Sequence, residues 1–226
     1  MHWNSGDTPE SLAASLADAV AGQLRTALRA RGKATLALSG GSTPKLFMEH
    51  LAEHKLDWAN VTVTLVDERW VPPDDPRSNA GLLRKHLLRS AASAARFVPL
   101  YVKAPTPEAG MPRVVSEIAK LELPLDVVVL GMGAHGHTAS FFPRGDHLEQ
   151  ALDPGGSARI LPMRAPAAGE PRITLTLPVL VGARALYLLI TGDAKRRVLI
   201  EAVNGADYPM RAVLDAAPGL QAYWCP

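Results

Sequence analysis

Apolar residues recur along the chain with two alternating periods, which predicts helices and strands in turn. After Thr8, apolar positions return every three to four residues as far as Leu28. This spacing predicts a helix that begins at Pro9 with a hydroxyl cap before it and ends near Gly32. Short aliphatic or β-branched runs predict seven strands, at Ala34–Leu38, Val61–Val66, Phe97–Val102, Asp126–Leu130, Arg172–Leu177, Ala185–Ile190 and Leu220–Trp224.

Helical periodicity occupies most of the intervals between these strands. The further predicted helices are Pro44–His54, Asn79–Leu88, Pro107–Leu121 and Asp193–Val203. Because strands and helices alternate, the predicted fold class is α/β, with a largely parallel central sheet and helices on both faces. The segment His147–Glu170 is rich in Gly, Pro and Ala, and we predict a loop or linker there.

Composition favours one folded domain over residues 1–226. Hydrophobic residues make up 47% of the chain and charged residues 20%, which excludes a disordered polymer. The longest apolar stretches, such as Leu125–Leu130 and Ala185–Ile190, are far shorter than the ~20 residues of a membrane helix. One cysteine, Cys225, excludes an intramolecular disulfide, and the N-terminus has no signal-peptide pattern. We therefore expect a cytoplasmic protein without a membrane partner.

The charge balance points to a small ligand. The chain has 24 Lys and Arg against 22 Asp and Glu, a formal net charge of +2. That balance does not provide the strong basic field of a nucleic-acid-binding protein. A site for a small anion needs only a few local cations. We therefore expect a small-molecule partner and no nucleic acid, and a monomer or weak dimer.

Polar motifs follow four of the predicted strands at the points where those strands end. They are Ser39–Thr43, Asp67–Arg69, Gly131–His137 and Thr191–Lys195. In parallel α/β sheets, ligands bind outside the carboxyl ends of the strands. If these strands are parallel, the four motifs converge on one edge of the sheet and form one site.

The first motif leads from a strand into a helix and contains Gly40, Gly41, Ser42 and Thr43. Glycines allow a tight turn, hydroxyls donate hydrogen bonds, and a helix N-terminus attracts anions, so the loop suits a phosphate. It lacks the Gly-Lys-Ser/Thr end of a Walker A loop. The alternative is an ordinary strand-to-helix turn in which Thr43 caps the helix.

Five charged residues near strand ends have two interpretations each. Asp67, Glu68 and Arg69 form either part of a site or a solvated loop edge in which Arg69 pairs with an acid. Lys195 is placed to reach a phosphate, or else it belongs to a solvated helix face with its basic neighbours. Arg172 precedes a strand and has the same two interpretations.

The segment Gly131–Thr138 is the densest motif and contains a formal G-x-G-x-x-G. A dinucleotide site is disfavoured because the segment breaks off at Pro143 rather than opening a long helix. A metal site pairing His135 with His137, with or without His147, is disfavoured because no Cys or acid stands at zinc-like spacing. His137 at this edge suits general base chemistry, and the alternative is a surface histidine or helix cap.

Taken together, these motifs resemble the 6-phosphogluconolactonase family, in the family's order and spacing and over most of the chain. The glucosamine-6-phosphate deaminases share the scaffold but differ at the second motif. The matching segments are Leu38–Pro44, Val66–Pro72 with Ser78-Asn79, Leu130–Gly133, Gly136–Pro143, Pro171–Thr176, and Gly192 with Lys195.

The resemblance implies a single Rossmann-like α/β domain, without metal or coenzyme, that hydrolyses 6-phospho-D-glucono-1,5-lactone to 6-phosphogluconate in the pentose phosphate pathway. It implies that His137 is the general base and that Arg69 and Lys195 hold the phosphorylated substrate. Ser42 and Thr43 match the phosphate loop, and Arg172 matches an arginine typical of the family. The alternatives are a glucosamine-6-phosphate deaminase-like isomerase and a sugar-phosphate-binding homologue with weakened catalysis.

One position departs from the family pattern. The family usually carries Asp two residues before the histidine, and this chain has His135 there. An acid at that position would orient His137 or raise its basicity, whereas a protonated His135 would lower it. Asp67 and Glu68 are the candidates for a replacement carboxylate.

Overall fold

A computed structural model of the chain, covering residues 1–226, contains a seven-stranded sheet and a separate three-stranded sheet. The ten strands are β1 (His2–Ser5), β2 (Ala34–Leu38), β3 (Val61–Leu65), β4 (Asp67–Arg69), β5 (Arg96–Phe97), β6 (Val127–Gly131), β7 (Ile160–Met163), β8 (Arg172–Leu175), β9 (Ala185–Thr191) and β10 (Gln221–Cys225). The large sheet has the order β1-β10-β9-β6-β2-β3-β5, and all its strand pairs are parallel. The predicted α/β fold with a largely parallel central sheet is confirmed.

Eight helices flank and connect the strands. They are α1 (Pro9–Arg31), α2 (Pro44–Ala52), α3 (Asn79–His86), α4 (Pro107–Ile118), α5 (Leu148–Leu152), α6 (Leu177–Val181), α7 (Asp193–Val203) and α8 (Pro209–Ala216). Helix α1 begins as predicted, because the Thr8 hydroxyl accepts a bond from the Ser11 amide at 3.2 Å. It ends at Gly32, whose φ of 71° favours glycine. No helix of the structure combines the length and the apolar character needed to span a bilayer.

The core lies on both faces of the large sheet. All five residues of β2 are buried, and because successive side chains of a strand point to opposite faces, both faces must be covered. One connected cluster of 61 buried apolar residues runs from Leu12 in α1 to Cys225 in β10. The cluster therefore connects elements from both ends of the chain.

The small sheet is antiparallel and joins segments that are distant in the chain. Strand β4 pairs with β8, so that Arg69 lies opposite Arg172 and Asp67 lies opposite Thr174. Strand β8 also pairs with β7. Directly opposed residues project to the same face of a sheet, so the register brings the two arginines together.

Several predicted elements differ from the structure. The segment His147–Glu170 is not a continuous loop, because it contains α5 and β7. Its strand carries Pro162, which is tolerated because β7 is an edge strand. The strand predicted from Arg172 ends at Leu175 and belongs to the antiparallel sheet. Strand β5 stops at Phe97, well short of the predicted Val102.

The sequence did not predict β4, α6, β1 or α8, and the last two lie outside the predicted motifs. Strand β1 has the polar sequence His-Trp-Asn-Ser and lies at the edge of the large sheet, so its pattern carries little apolar signal. Helix α8 is only eight residues long and follows α7 closely, and its strong apolar face was not recognised. Neither element alters the order of the strands that carry the predicted motifs.

Candidate active site

One cleft at the carboxyl edge of the large sheet receives side chains or backbone from all four motifs. Its volume is about 290 Å³. The predicted site residues that line it are Gly40–Thr43, Asp67, Arg69, His137, Arg172 and Lys195. Glu68 and His135 do not line it. The predicted convergence of the strand ends is therefore observed.

The glycine-rich loop after β2 is tied to the loop after β6. The Ser39 amide donates to the Val129 carbonyl, and the Ser39 hydroxyl accepts from the Gly131 amide, each at 2.9 Å. Gly41 has a φ of 104°, a conformation that favours glycine. Thr43 precedes α2 but makes no side-chain capping bond, contrary to the ordinary-turn alternative. Its hydroxyl and the start of α2 therefore remain available to an anion.

Asp67 and Glu68 face opposite ways, because they are consecutive residues of β4. The Asp67 carboxylate lines the cleft and accepts a hydrogen bond from the Ser140 hydroxyl at 2.6 Å. Glu68 is fully buried and turns away from the cleft. Glu68 is therefore not a carboxylate for His137, and Asp67 remains the candidate.

Glu68 anchors the beginning of α3 instead. Its two carboxylate oxygens accept bonds of 2.7–3.1 Å from the amides of Arg69, Asn79 and Ala80 and from the Ser78 hydroxyl. Burial raises the pKa of Glu68, and these four bonds oppose that rise. The carboxylate thus links β4 to α3 beneath the cleft.

Arg69 is held by neutral oxygens rather than by an acid. Its Nη1 donates to the Arg77 carbonyl at 2.9 Å and to the Asn79 side-chain oxygen. Its Nε is buried and has no hydrogen-bond partner in the protein. The alternative of a solvated arginine paired with an acid is therefore not observed. No carboxylate of the protein therefore competes with an anion in the cleft for this guanidinium.

His137 is half-buried and stacked on Phe142. The two ring centroids are 4.4 Å apart and the planes are inclined by 28°. On another side the ring touches Gly133, where any Cβ would overlap it. The Gly133 amide also donates to the His137 carbonyl at 2.9 Å. The glycine-rich turn thus fixes the position of the imidazole. No helix begins directly after the turn, whereas a dinucleotide-binding motif is followed by one.

The surroundings of His137 favour its neutral form. Burial lowers the pKa of His137, and the Asp67 carboxylate partly opposes this shift. The charges of Arg172, His135 and Lys195 lower that pKa further. A neutral imidazole can accept a proton, which is what general base catalysis requires.

Arg172 and Lys195 complete the positive side of the cleft. The Arg172 Nη2 donates to the Ala168 carbonyl at 2.9 Å, and its guanidinium carbon lies 5.4 Å from the centre of the Phe142 ring. Lys195 lies in the first turn of α7 and makes no ion pair. Burial lowers the pKa of both groups. The neighbouring Arg196 points elsewhere, over the ring of Trp224.

His135 is exposed and lies outside the cleft. It acts on His137 only through its charge. No three His, Cys, Asp or Glu side chains lie close enough together to bind a metal ion. His147, considered above with the other two histidines, is next to Asp146, with 3.0 Å between Nδ1 and the carboxylate oxygen.

Two residues of the site were not singled out from the sequence. Phe142 stacks on His137, and Asn79 bonds to Arg69. Both lie within segments that match the family motifs, so the resemblance could have indicated that they belong to the site. Their residue types alone could not, because phenylalanine is common in cores and asparagine is common at helix starts.

Comparison with known proteins places this cleft in a recognised group. The family model described as "Glucosamine-6-phosphate isomerases/6-phosphogluconolactonase" matches residues 7–224. A protein named 6-phosphogluconolactonase from Rhizobium meliloti (strain 1021) is 51% identical over 97% of both chains. One of the same name from Pseudomonas aeruginosa is 46% identical over 95% of this chain and 90% of its own.

Solved structures of proteins from the same group also resemble this chain. A crystal structure of a 6-phosphogluconolactonase from Shewanella baltica OS155 superposes with a TM-score of 0.96 at 39% identity, covering 100% of this chain and 98% of that one. A monomeric glucosamine-6-phosphate deaminase superposes with a TM-score of 0.79 at 19% identity, covering 100% and 97% of the two chains. The deaminase and this chain therefore share the fold.

Proposed function

The chain belongs to the family of glucosamine-6-phosphate isomerases and 6-phosphogluconolactonases, and we propose that His137 is the general base of its reaction. The chain is a hydrolase that converts 6-phospho-D-glucono-1,5-lactone to 6-phosphogluconate, a step of the pentose phosphate pathway. The observation that carries the proposed mechanism is a single cleft shared by His137 and three cationic side chains, Arg69, Arg172 and Lys195.

The imidazole of His137 removes a proton from water while the water oxygen attacks the lactone carbonyl carbon. The carbonyl oxygen then carries negative charge, and Arg69 is the group that stabilises it or orients the phosphate. When the intermediate collapses, the bond to the ring oxygen breaks and His137 returns its proton to that oxygen. The product acid loses its proton to solvent, so the enzyme ends unchanged.

The phosphate of the substrate binds against the glycine-rich loop and the cations. Gly40 and Gly41 bring backbone close to the ligand, while Ser42 and Thr43 offer hydroxyls at the start of α2. Lys195 contributes a point charge and Arg172 a second guanidinium. Asp67 supports His137 electrostatically, in place of the acid that His135 replaces.

Alkali uptake at constant pH tests the function directly. Freshly made 6-phosphogluconolactone and unphosphorylated gluconolactone are compared at equal concentration, with spontaneous hydrolysis subtracted. We expect a large preference for the phosphorylated lactone, because the cations recognise its phosphate. Equal rates with both lactones would contradict the proposed phosphate site. Release of ammonia from glucosamine 6-phosphate would indicate the deaminase-like alternative.

We further propose that the chain works in the cytoplasm on a small molecule alone, without nucleic acid, metal or coenzyme, and as a monomer or weak dimer. Its modest net charge of +2 and its single buried cysteine support this proposal. Sedimentation velocity over a range of concentrations tests the oligomeric state, and activity after exhaustive chelation tests the metal independence.

A further inference from the structure

Asn79, the first residue of α3, binds two residues of β4 through one buried side-chain amide. Its Nδ2 donates to the Asp67 carbonyl at 2.9 Å, and its Oδ1 accepts from the Arg69 Nη1. Only this orientation of the amide pairs a donor with each acceptor. Asn79 is 2% exposed, so it has no access to water in place of these partners.

Gly40 is packed against the same amide. A Cβ on residue 40 would overlap the Oδ1, Cγ and Nδ2 atoms of Asn79. Gly40, unlike Gly41, does not have a positive φ, so its backbone is open to other residues. The requirement for glycine at position 40 therefore comes from the neighbouring amide and not from the turn.

Arg69 is oriented by these contacts. The Arg77 carbonyl and the Asn79 oxygen both bind Nη1, which fixes one side of the guanidinium. The buried Nε has no protein partner, although Arg69 lines the cleft. A buried N–H without a partner is costly, and an anionic ligand would satisfy it.

The backbone of Asn79 is itself held by the buried carboxylate of Glu68. Its backbone amide donates to a Glu68 carboxylate oxygen at 2.7 Å, and it is the first residue of α3. The rigid link runs from the fully buried Glu68 through the start of α3 to the amide and then to Arg69. None of these contacts involves the exposed surface.

We propose that Asn79 is a positioning residue that holds the Arg69 guanidinium against the cleft, and that position 40 is glycine in order to admit the Asn79 side chain. The inference rests on the proposed function, because Arg69 must serve the lactonase reaction for its position to matter. It assigns Gly40 a role in shaping the cation site rather than only in approaching the phosphate.

A double-mutant cycle tests the link between Asn79 and Arg69. The variants are Asn79→Ala, Arg69→Ala and the double variant, each measured by kcat/KM for 6-phosphogluconolactone and by calorimetric affinity for 6-phosphogluconate. We expect Asn79→Ala to lower kcat/KM on the order of 10-fold or more in the native background. In the Arg69→Ala background it should change neither quantity more than about twofold, because the group it positions is gone.

Ser78→Ala is the matched control. Ser78 caps α3, accepting from the Gly81 amide at 3.1 Å, and its hydroxyl donates to the second Glu68 oxygen at 3.1 Å, but it touches neither the Asn79 side chain nor Arg69. If Asn79 served only to hold the helix, Ser78→Ala would reduce kcat/KM as much as Asn79→Ala at a similar loss of Tm. We expect Ser78→Ala to lower Tm while leaving kcat/KM within about twofold.

Gly40→Ala supplies an independent test. Alone, it should lower both kcat/KM and the affinity for 6-phosphogluconate as Asn79→Ala does, because the added methyl displaces the amide. Added to Asn79→Ala, which removes the three nearest overlapping atoms, it should cost little more.

Additive losses in both cycles would overturn the proposal. They would do so whether or not the wild-type protein is a lactonase, because the affinity for 6-phosphogluconate is measured separately. Failure of the wild-type protein to hydrolyse 6-phosphogluconolactone would instead overturn the proposed function, and the two failures are thereby distinguished.

Discussion

The imidazole of His137 lies against the phenyl ring of Phe142, with 4.4 Å between the ring centroids. Phe142 is 3% exposed, so it presents a dry apolar surface to one face of the base. The guanidinium of Arg172 lies 5.4 Å from the centre of the same phenyl ring. One aromatic side chain thereby sets the positions of both the base and a cation, and it contributes to the burial that lowers the pKa of His137.

Replacement of His137 by Ala should lower kcat by about 10²–10⁴-fold, the usual contribution of a general base. The fold should persist, because the side chain is only half-buried. The measurement is steady-state hydrolysis of 6-phosphogluconolactone together with Tm. His135→Ala is the matched control, and its kcat should stay close to that of the wild type because the side chain lies outside the cleft. A His137→Ala variant with near-normal kcat would remove His137 from the mechanism.

Gly133→Ala should disturb the base without removing it. The new Cβ would overlap the His137 ring, which has Phe142 behind it and little room to withdraw. Misplacement of a catalytic group by about 1 Å costs about 10²-fold, so we expect kcat to fall by 10-fold or more. In contrast, Gly22→Ala in α1 meets no atom within 4 Å and should stabilise the protein by roughly 0.5–1 kcal/mol. Unchanged kcat in Gly133→Ala would show that the ring is free to move.

The pH profile should reflect the lowered pKa of His137. The neutral imidazole is the active form, so kcat/KM rises with pH through the pKa of the free enzyme. Burial and nearby cations place that midpoint below the ordinary value of about 6.5. Asp67→Asn removes a charge that raises the pKa of His137, so the midpoint should move to still lower pH. A midpoint above 6.5, or one that Asp67→Asn leaves in place, would contradict this account.

Lys195→Ala should mainly raise KM, by about 10-fold or more, because one charge-assisted contact to the phosphate is lost. The kcat should change little, since the lysine does not take part in proton transfer. The control is Arg197→Ala, two residues along the same helix and exposed, which should leave both constants unchanged. If Lys195→Ala leaves KM unaltered, the phosphate binds elsewhere.

Glu68→Gln should destabilise the fold. The amide group replaces one of two oxygens that each accept two hydrogen bonds, so at least one buried backbone N–H loses its partner. Such a loss costs about 1–3 kcal/mol, which urea unfolding measures. An unfolding free energy equal to that of the wild type would argue against this anchoring role.

The sequence was sufficient to predict that the motifs converge. Apolar runs marked the parallel strands, and the general placement of ligands at their carboxyl ends brought Ser42, Arg69, His137 and Lys195 to one edge. This inference needs only the positions of the strand ends, which are local, and the alternation of strands with helices, which favours parallel pairing. The resemblance to a family then supplied the chemistry.

Contacts between distant segments were beyond the same reasoning. The pairing of β4 with β8 joins residues more than 100 positions apart, and no local pattern selects that partner. The Asp67 side chain lines the cleft and the Glu68 side chain points away from it, because successive residues of a strand face opposite sides. This difference is predictable only once β4 is known to be a strand. The overlap of Gly40 with Asn79 depends on side-chain packing across two motifs, which residue types do not encode.

The opposed arginines of the small sheet repel each other. Arg69 and Arg172 are paired by backbone register, and the charge of Arg69 contributes to lowering the pKa of Arg172. Neither strand can relax this proximity without breaking its ladder. A dianion that binds between them converts the repulsion into attraction on both sides. Inorganic phosphate or added salt should therefore raise the melting temperature of the unliganded protein, and the substrate's own phosphate would do so most strongly.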